Sequence, residues 1–93
     1  MQTEKQIIDK FIVDTIVIDP ITNIIEKLKN NLFYTHDIKY LKFKLKEFTK
    51  LALELININL KISLPNLTVL NDYNKQRFIS YFEVLLKYFK QAE

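Results

Sequence analysis

Apolar residues along this 93-residue chain recur at spacings of three and four in four successive stretches, the signature of helices that each bury one face. In the first, Ile8, Phe11, Ile12, Thr15 and Ile16 share a side while Lys5, Asp9, Lys10 and Asp14 take the others, which predicts a helix over 3–17. The run Thr15-Ile16-Val17-Ile18 is β-branched throughout and also suits extended chain. Asp19-Pro20 predicts a boundary, because the residue before proline is pushed away from α geometry, and aspartate then proline is a good helix start. Ile21, Ile24, Ile25, Leu28 and Leu32 form the stripe of a second helix, 20–31, with Asn30-Asn31 at its end.

Thr35 and Asp37 are both capable of capping a third helix, in which Ile38, Leu41, Leu45, Phe48, Ala52 and Leu55 alternate steps of three and four, a seam of bundle type. Beyond Leu51 the pattern turns apolar all round, with Leu53, Ile56, Ile58 and Leu60, so this half is either central or covers a partner. Residues 56–64 also alternate strictly, Ile-Asn-Ile-Asn-Leu-Lys-Ile-Ser-Leu, as a half-buried strand would. Helix over 37–62 is the favoured reading, since no second strand is available and a lone strand is unstable. Pro65 ends that stretch, and Asn71 or Asp72 caps a last helix over 72–91. Its apolar face centres on Phe78, Phe82, Leu85 and Phe89, flanked by Ile79 and Leu86 on one side and Tyr81 and Tyr88 on the other. The expected fold is all-α: one domain, 1–93, built as a small antiparallel bundle of four helices.

Composition sharpens this picture chiefly through what is missing. The chain has no glycine and no cysteine, where about six glycines are expected at the usual share of roughly 7%. Left-handed backbone must then fall mainly to asparagine, and turns must rely on capped helix ends rather than tight hairpins. Without cysteine there is neither a disulfide framework nor a thiolate metal site. Glycine-cradled phosphate sites are excluded on the same footing. Thirteen lysines against one arginine, thirteen isoleucines, eight asparagines and two alanines point to AT-rich coding. No stretch approaches the roughly 20 apolar residues of a membrane span, and no leader pattern is visible, so the expected setting is cytoplasmic.

Net charge is only +3, yet it is unevenly spread. Residues 1–34 carry four lysines and five acids, whereas residues 35–61 carry six lysines and three acids. On a helix, Lys39, Lys42, Lys46 and Lys50 fall on one stripe with Phe43 beside it, which suits an acidic protein surface or a phosphate backbone with a stacked base. A solvated face whose lysine stems cover apolar neighbours has the same pattern. Arginine, the commonest reader of base edges, is absent from the stripe. A second candidate surface is the Arg77, Tyr81, Val84 and Tyr88 flank of the last helix, because tyrosine and arginine are enriched at interface centres. The same tyrosines equally suit a core rim.

His36 is the only imidazole and has no second histidine or cysteine to share a metal with. It and Asp37 read as turn and cap residues. No catalytic residue, cofactor or metal is expected. A helix-turn-helix is disfavoured by the length of the 30–37 connection. The four-helix layout, the basic charge and the entry to the last helix through Leu67, Thr68, Asn74, Lys75 and Gln76 resemble the immunity proteins of pediocin-type bacteriocins. Members of that family usually carry a glycine near the third loop and a longer C-terminal tail, which this chain lacks. The resemblance implies a cytoplasmic bundle that blocks a toxin–receptor complex by protein contact. The expectation is therefore a non-enzymatic interaction protein of inhibitor, immunity or adaptor type, using residues 39–50, the last helix's flank or both. A small nucleic-acid-associated protein is the alternative, and the apolar surplus leaves room for a homodimer.

Overall fold

The chain runs helically straight through Asp19-Pro20. Ile18 and Asp19 both hold right-handed helical angles, at φ −64°, ψ −50° and φ −62°, ψ −47°. The expected boundary there is absent, and the reason lies in the turn before it. Proline has no N–H to donate and its ring crowds the carbonyl four residues back, here that of Ile16. Val13–Ile18 winds as a π-helix, with the Asp19 N–H reaching back five residues to the Asp14 carbonyl. The wider turn makes room for the ring, and α1, Asp19–Lys29, continues from it with the proline in its first turn.

The structure, a computed structural model, describes residues 12–64 and 66–91. The expected helix at 3–17 lies outside the described residues up to position 11. Among the described residues there are three α-helices and no strand. The all-α class holds, and the four-helix count does not carry over to the described residues.

α1 ends in a Schellman turn: Asn31 sits at φ 57°, the Leu32 N–H donates to the Lys27 carbonyl at 2.9 Å and the Asn31 N–H to that of Leu28 at 3.2 Å. Asparagine takes the position that glycine usually fills. A short 3₁₀ turn, Thr35–Asp37, leads into α2, Ile38–Ile56. The carboxylate of Asp37 accepts from the Tyr34 N–H at 2.8 Å, so Asp37 stands at the start of α2 but, contrary to expectation, its side chain makes no capping hydrogen bond to that helix.

α2 stops at Ile56, not at 62. Asn57 turns left-handed, φ 57° and ψ 36°, and both its N–H and that of Ile58 fold back on the Ala52 carbonyl. The next residues are neither helix nor paired strand. From 57 to 64 exposed and half-buried positions alternate without exception, Asn57, Asn59, Lys61 and Ser63 outward and Ile58, Leu60, Ile62 and Leu64 inward. The period-two pattern thus encodes an extended segment that lies on the helices, with Leu60, Ile62 and Leu64 packed on the core.

That segment carries the chain back along α2, because the Leu70 N–H donates to Thr35 Oγ1 at 3.2 Å, ahead of α2's first turn. α3, Asp72–Gln91, starts there. Asn71 caps it, its side-chain oxygen accepting from the Asn74 N–H at 2.9 Å, and Lys75 Nζ reaches Asn31 Oδ1 at 2.6 Å. Helices α2 and α3 therefore leave from the same end of the molecule, joined by an extended crossover rather than by the antiparallel turn expected of a bundle.

α3 is the hub, packing against α1, the π-helical turn and α2. Its wide apolar face supplies Phe78, Phe82, Leu85 and Phe89, all fully buried, against Val17, Ile21, Leu28, Leu41 and Phe48. Each such side chain contributes roughly 1.5–3 kcal/mol of transfer free energy. The α2 seam is buried from Ile38 to Ala52 as expected, while Leu55 leaves it and is exposed, as is Leu32 after α1.

Candidate functional site

The crossover and α2 do not close on each other. Between them runs an open groove of about 780 Å³, lined on α2 by Lys42, Leu45, Lys46, Thr49, Lys50 and Leu53 and on the crossover by residues 59–64. This size lies within the range of ligand-binding clefts. Its origin is in the helical period. Lys42, Lys46 and Lys50 stand four residues apart and so rise one above another along α2, and Leu45, Thr49 and Leu53 form the adjoining row that becomes the floor.

Leu53 is 48% exposed, and Leu60, Ile62 and Leu64 face it from the other wall. Of the apolar residues in the second half of α2, Leu53 opens into the groove, Leu51 and Ile56 pack on the core, and Leu55 is exposed outside both. Polar groups on the lining are Asn59, Ser63 and Thr49, whose hydroxyl donates to the Leu45 carbonyl at 2.7 Å.

Four lysines surround this floor, Lys42, Lys46 and Lys50 from α2 and Lys61 from the crossover. No carboxylate is among the described lining residues. Lys50 approaches Glu54 at 3.9 Å across exposed surface, a contact of little energy. Lys42, Lys46 and Lys61 have no ion pair among the described residues. Lys44, by contrast, is engaged elsewhere, with Glu47 at 3.4 Å and the rings of Tyr40 and Phe48 each 5.9 Å from its nitrogen.

The expected stripe therefore divides. Lys42, Lys46 and Lys50 come together on the groove, whereas Lys39 and Phe43 are exposed and line no part of it. Phe43 is 60% exposed and stands apart from the lysine-flanked floor. Lys61, Leu60, Ile62 and Leu64 were not among the residues expected here. The alternation over 56–64 is the signal that points to them, since it fits extended chain lying beside the lysines.

The second candidate surface has a different character. Tyr81 is half-buried and its hydroxyl donates to the Ser63 carbonyl at 3.1 Å, so it ties the crossover to α3. Arg77 lies over the Tyr73 ring at 5.9 Å, and together with Gln76, Ser80 and Tyr81 they bound a shallow depression. Tyr88 is half-buried and lines neither feature. His36 is exposed, stacked on Tyr34 and 3.6 Å from Asp37. No group of three or more histidine, aspartate or glutamate side chains converges among the described residues, and no described helix is long and apolar enough to cross a membrane.

Compared with known proteins, the chain matches no family model, no curated sequence and no solved structure. The resemblance to bacteriocin immunity proteins rests on the residues quoted for it alone.

Proposed function

We propose that this protein is a non-enzymatic binding module that captures an acidic segment of a partner protein in the groove between α2 and the crossover, in an inhibitor, immunity or adaptor role. The single observation that carries this reading is the combination of an apolar floor with Lys42, Lys46, Lys50 and Lys61 around it and no described carboxylate among them. Such a site attracts negative charge at long range and then rewards burial of apolar side chains at short range. The floor is aliphatic. A nucleic-acid site would place an aromatic platform among the cations, and Phe43 lies off the groove. The lining also offers no acid–base pair for catalysis.

The test compares two labelled probes of equal charge by fluorescence anisotropy, a peptide of glutamates mixed with valines and leucines and a single-stranded thymidine oligonucleotide. The peptide is expected to bind more tightly, and the Lys42→Glu/Lys46→Glu double variant to weaken it about tenfold or more, or 1.4 kcal/mol. Preferential oligonucleotide binding that falls steeply with salt and disappears in the same variant would instead establish the nucleic-acid alternative. Binding of neither probe would overturn both.

A further inference from the structure

The crossover that walls the groove is extended, yet it pairs with no strand. Among the described residues, the backbone N–H groups from Asn59 to Leu64 have no acceptor, and the one carbonyl of this stretch that accepts a bond is Ser63, from Tyr81. Alternate residues of an extended chain send their backbone groups to opposite sides. With Ser63 bonded to Tyr81 on α3, this alternation has Leu60, Ile62 and Leu64 offer theirs on the side away from α3, and the groove, with α2 as its other wall, runs along the same stretch. Such an open edge is a template for another strand.

The opposite wall has a matching spacing. Lys42, Lys46 and Lys50 are each four residues apart on a helix, about 6 Å per step. Every second residue of an extended chain is about 6.6 Å from the last. Over the three lysines the mismatch is about 1 Å, which a flexible lysine stem absorbs. Side chains of an added strand point the same way as those of its neighbour at paired positions. One face would therefore lie down with Leu60 and Ile62 on the apolar floor, and the other would stand up with Lys61 among the ammonium groups.

We propose that the groove takes one extended peptide in which acidic and apolar residues alternate, added as a strand beside residues 59–64, its acids in step with Lys42, Lys46 and Lys50. This rests on the reading of the groove as a site for an acidic partner and specifies the partner's conformation and pattern. Main-chain bonds to the crossover supply affinity that does not depend on sequence, and the alternation supplies the selectivity.

The experiment uses the full chain and four peptides of about seven residues, all with the same glutamate and valine content. The first alternates glutamate and valine, the second groups the glutamates at one end, and the third and fourth are the alternating peptide N-methylated on one or the other set of alternate amides. The alternating peptide is expected to bind about tenfold or more tightly than the grouped one. Methylation of one set should abolish binding while the other set tolerates it, since only one edge of the peptide faces the crossover. Amide shifts on binding should concentrate at Leu60, Ile62 and Leu64. Equal binding of alternating and grouped peptides, or tolerance of both methylation patterns, would overturn strand addition while leaving a charge-driven acidic site intact. Binding of no peptide would remove the underlying reading as well.

Discussion

The hydroxyl of Tyr81 holds the carbonyl of Ser63 at 3.1 Å, and this bond fixes one wall of the groove to the helix that organises the core. Among the described residues, 59–64 have no other hydrogen bond to the helices, so the position of this stretch depends on apolar contacts made by Leu60, Ile62 and Leu64 together with this one hydrogen bond.

Tyr81→Phe keeps the ring and removes only the bond. A net loss of about 0.5 kcal/mol is expected, at the low end for hydrogen bonds because the contact is solvent-exposed. Backbone order parameters by ¹⁵N relaxation should fall for residues 60–64 and stay unchanged in α2 and α3. Unaltered order across the crossover would show that packing alone sets the wall.

The two left-handed residues among those described invite a paired test. Asn31 and Asn57 both sit at φ 57°, where glycine is free of the Cβ penalty of about 1 kcal/mol. Asn57→Gly should therefore stabilise the chain or leave it unchanged, and Asn57→Ala should destabilise it by about 1 kcal/mol. Asn31→Gly is expected to gain less, because the Asn31 side chain also accepts from Lys75 at 2.6 Å. Urea denaturation of the three variants ranks them. A destabilising Asn57→Gly would mean that the asparagine side chain contributes a bond of its own.

These sites mark how far the sequence could be read. The core faces of α1, α2 and α3 follow from periodicity, and Asn71 as a cap and asparagine as the left-handed residue follow from local chemistry. The Asp19-Pro20 boundary failed because a local rule about proline was met by another local device, the π-helical turn that widens the backbone at Ile16. The end of α2 failed for the opposite reason. The alternation Ile58-Asn59-Leu60-Lys61 is legible, but the want of a partner strand argues against a strand only where sheet pairing is required, and a segment that buries one side on helices needs none. The groove was visible only in part, since Lys42, Lys46 and Lys50 share a helix face in any reading, whereas Lys61 reaches them only once the crossover turns back.

Asn71 accepts from the Asn74 N–H at 2.9 Å, so it closes the long connection as well as opening α3. Asn71→Ala should cost about 1 kcal/mol, the usual loss of a capping side chain. Asn71→Asp should retain stability and add a favourable charge at the helix start. Thermal melts of the two variants distinguish capping from a passive loop role, for which alanine and aspartate would be equivalent.

Phe43 and Phe48 are five residues apart on α2 and have opposite fates, the first 60% exposed and the second fully buried. Phe48→Ala leaves a cavity in the core and should cost about 3–5 kcal/mol, a large part of the roughly 5–14 kcal/mol a domain of this length has. Phe43→Ala touches neither core nor groove and should change stability by about 0.5 kcal/mol or less. Phe43→Ala also separates two surfaces. If the groove alone binds the acidic peptide, affinity is unchanged by it. Loss of peptide binding in a stable Phe43→Ala protein would move the site from the groove to the exposed outer face of α2, where Lys39 and Phe43 stand together.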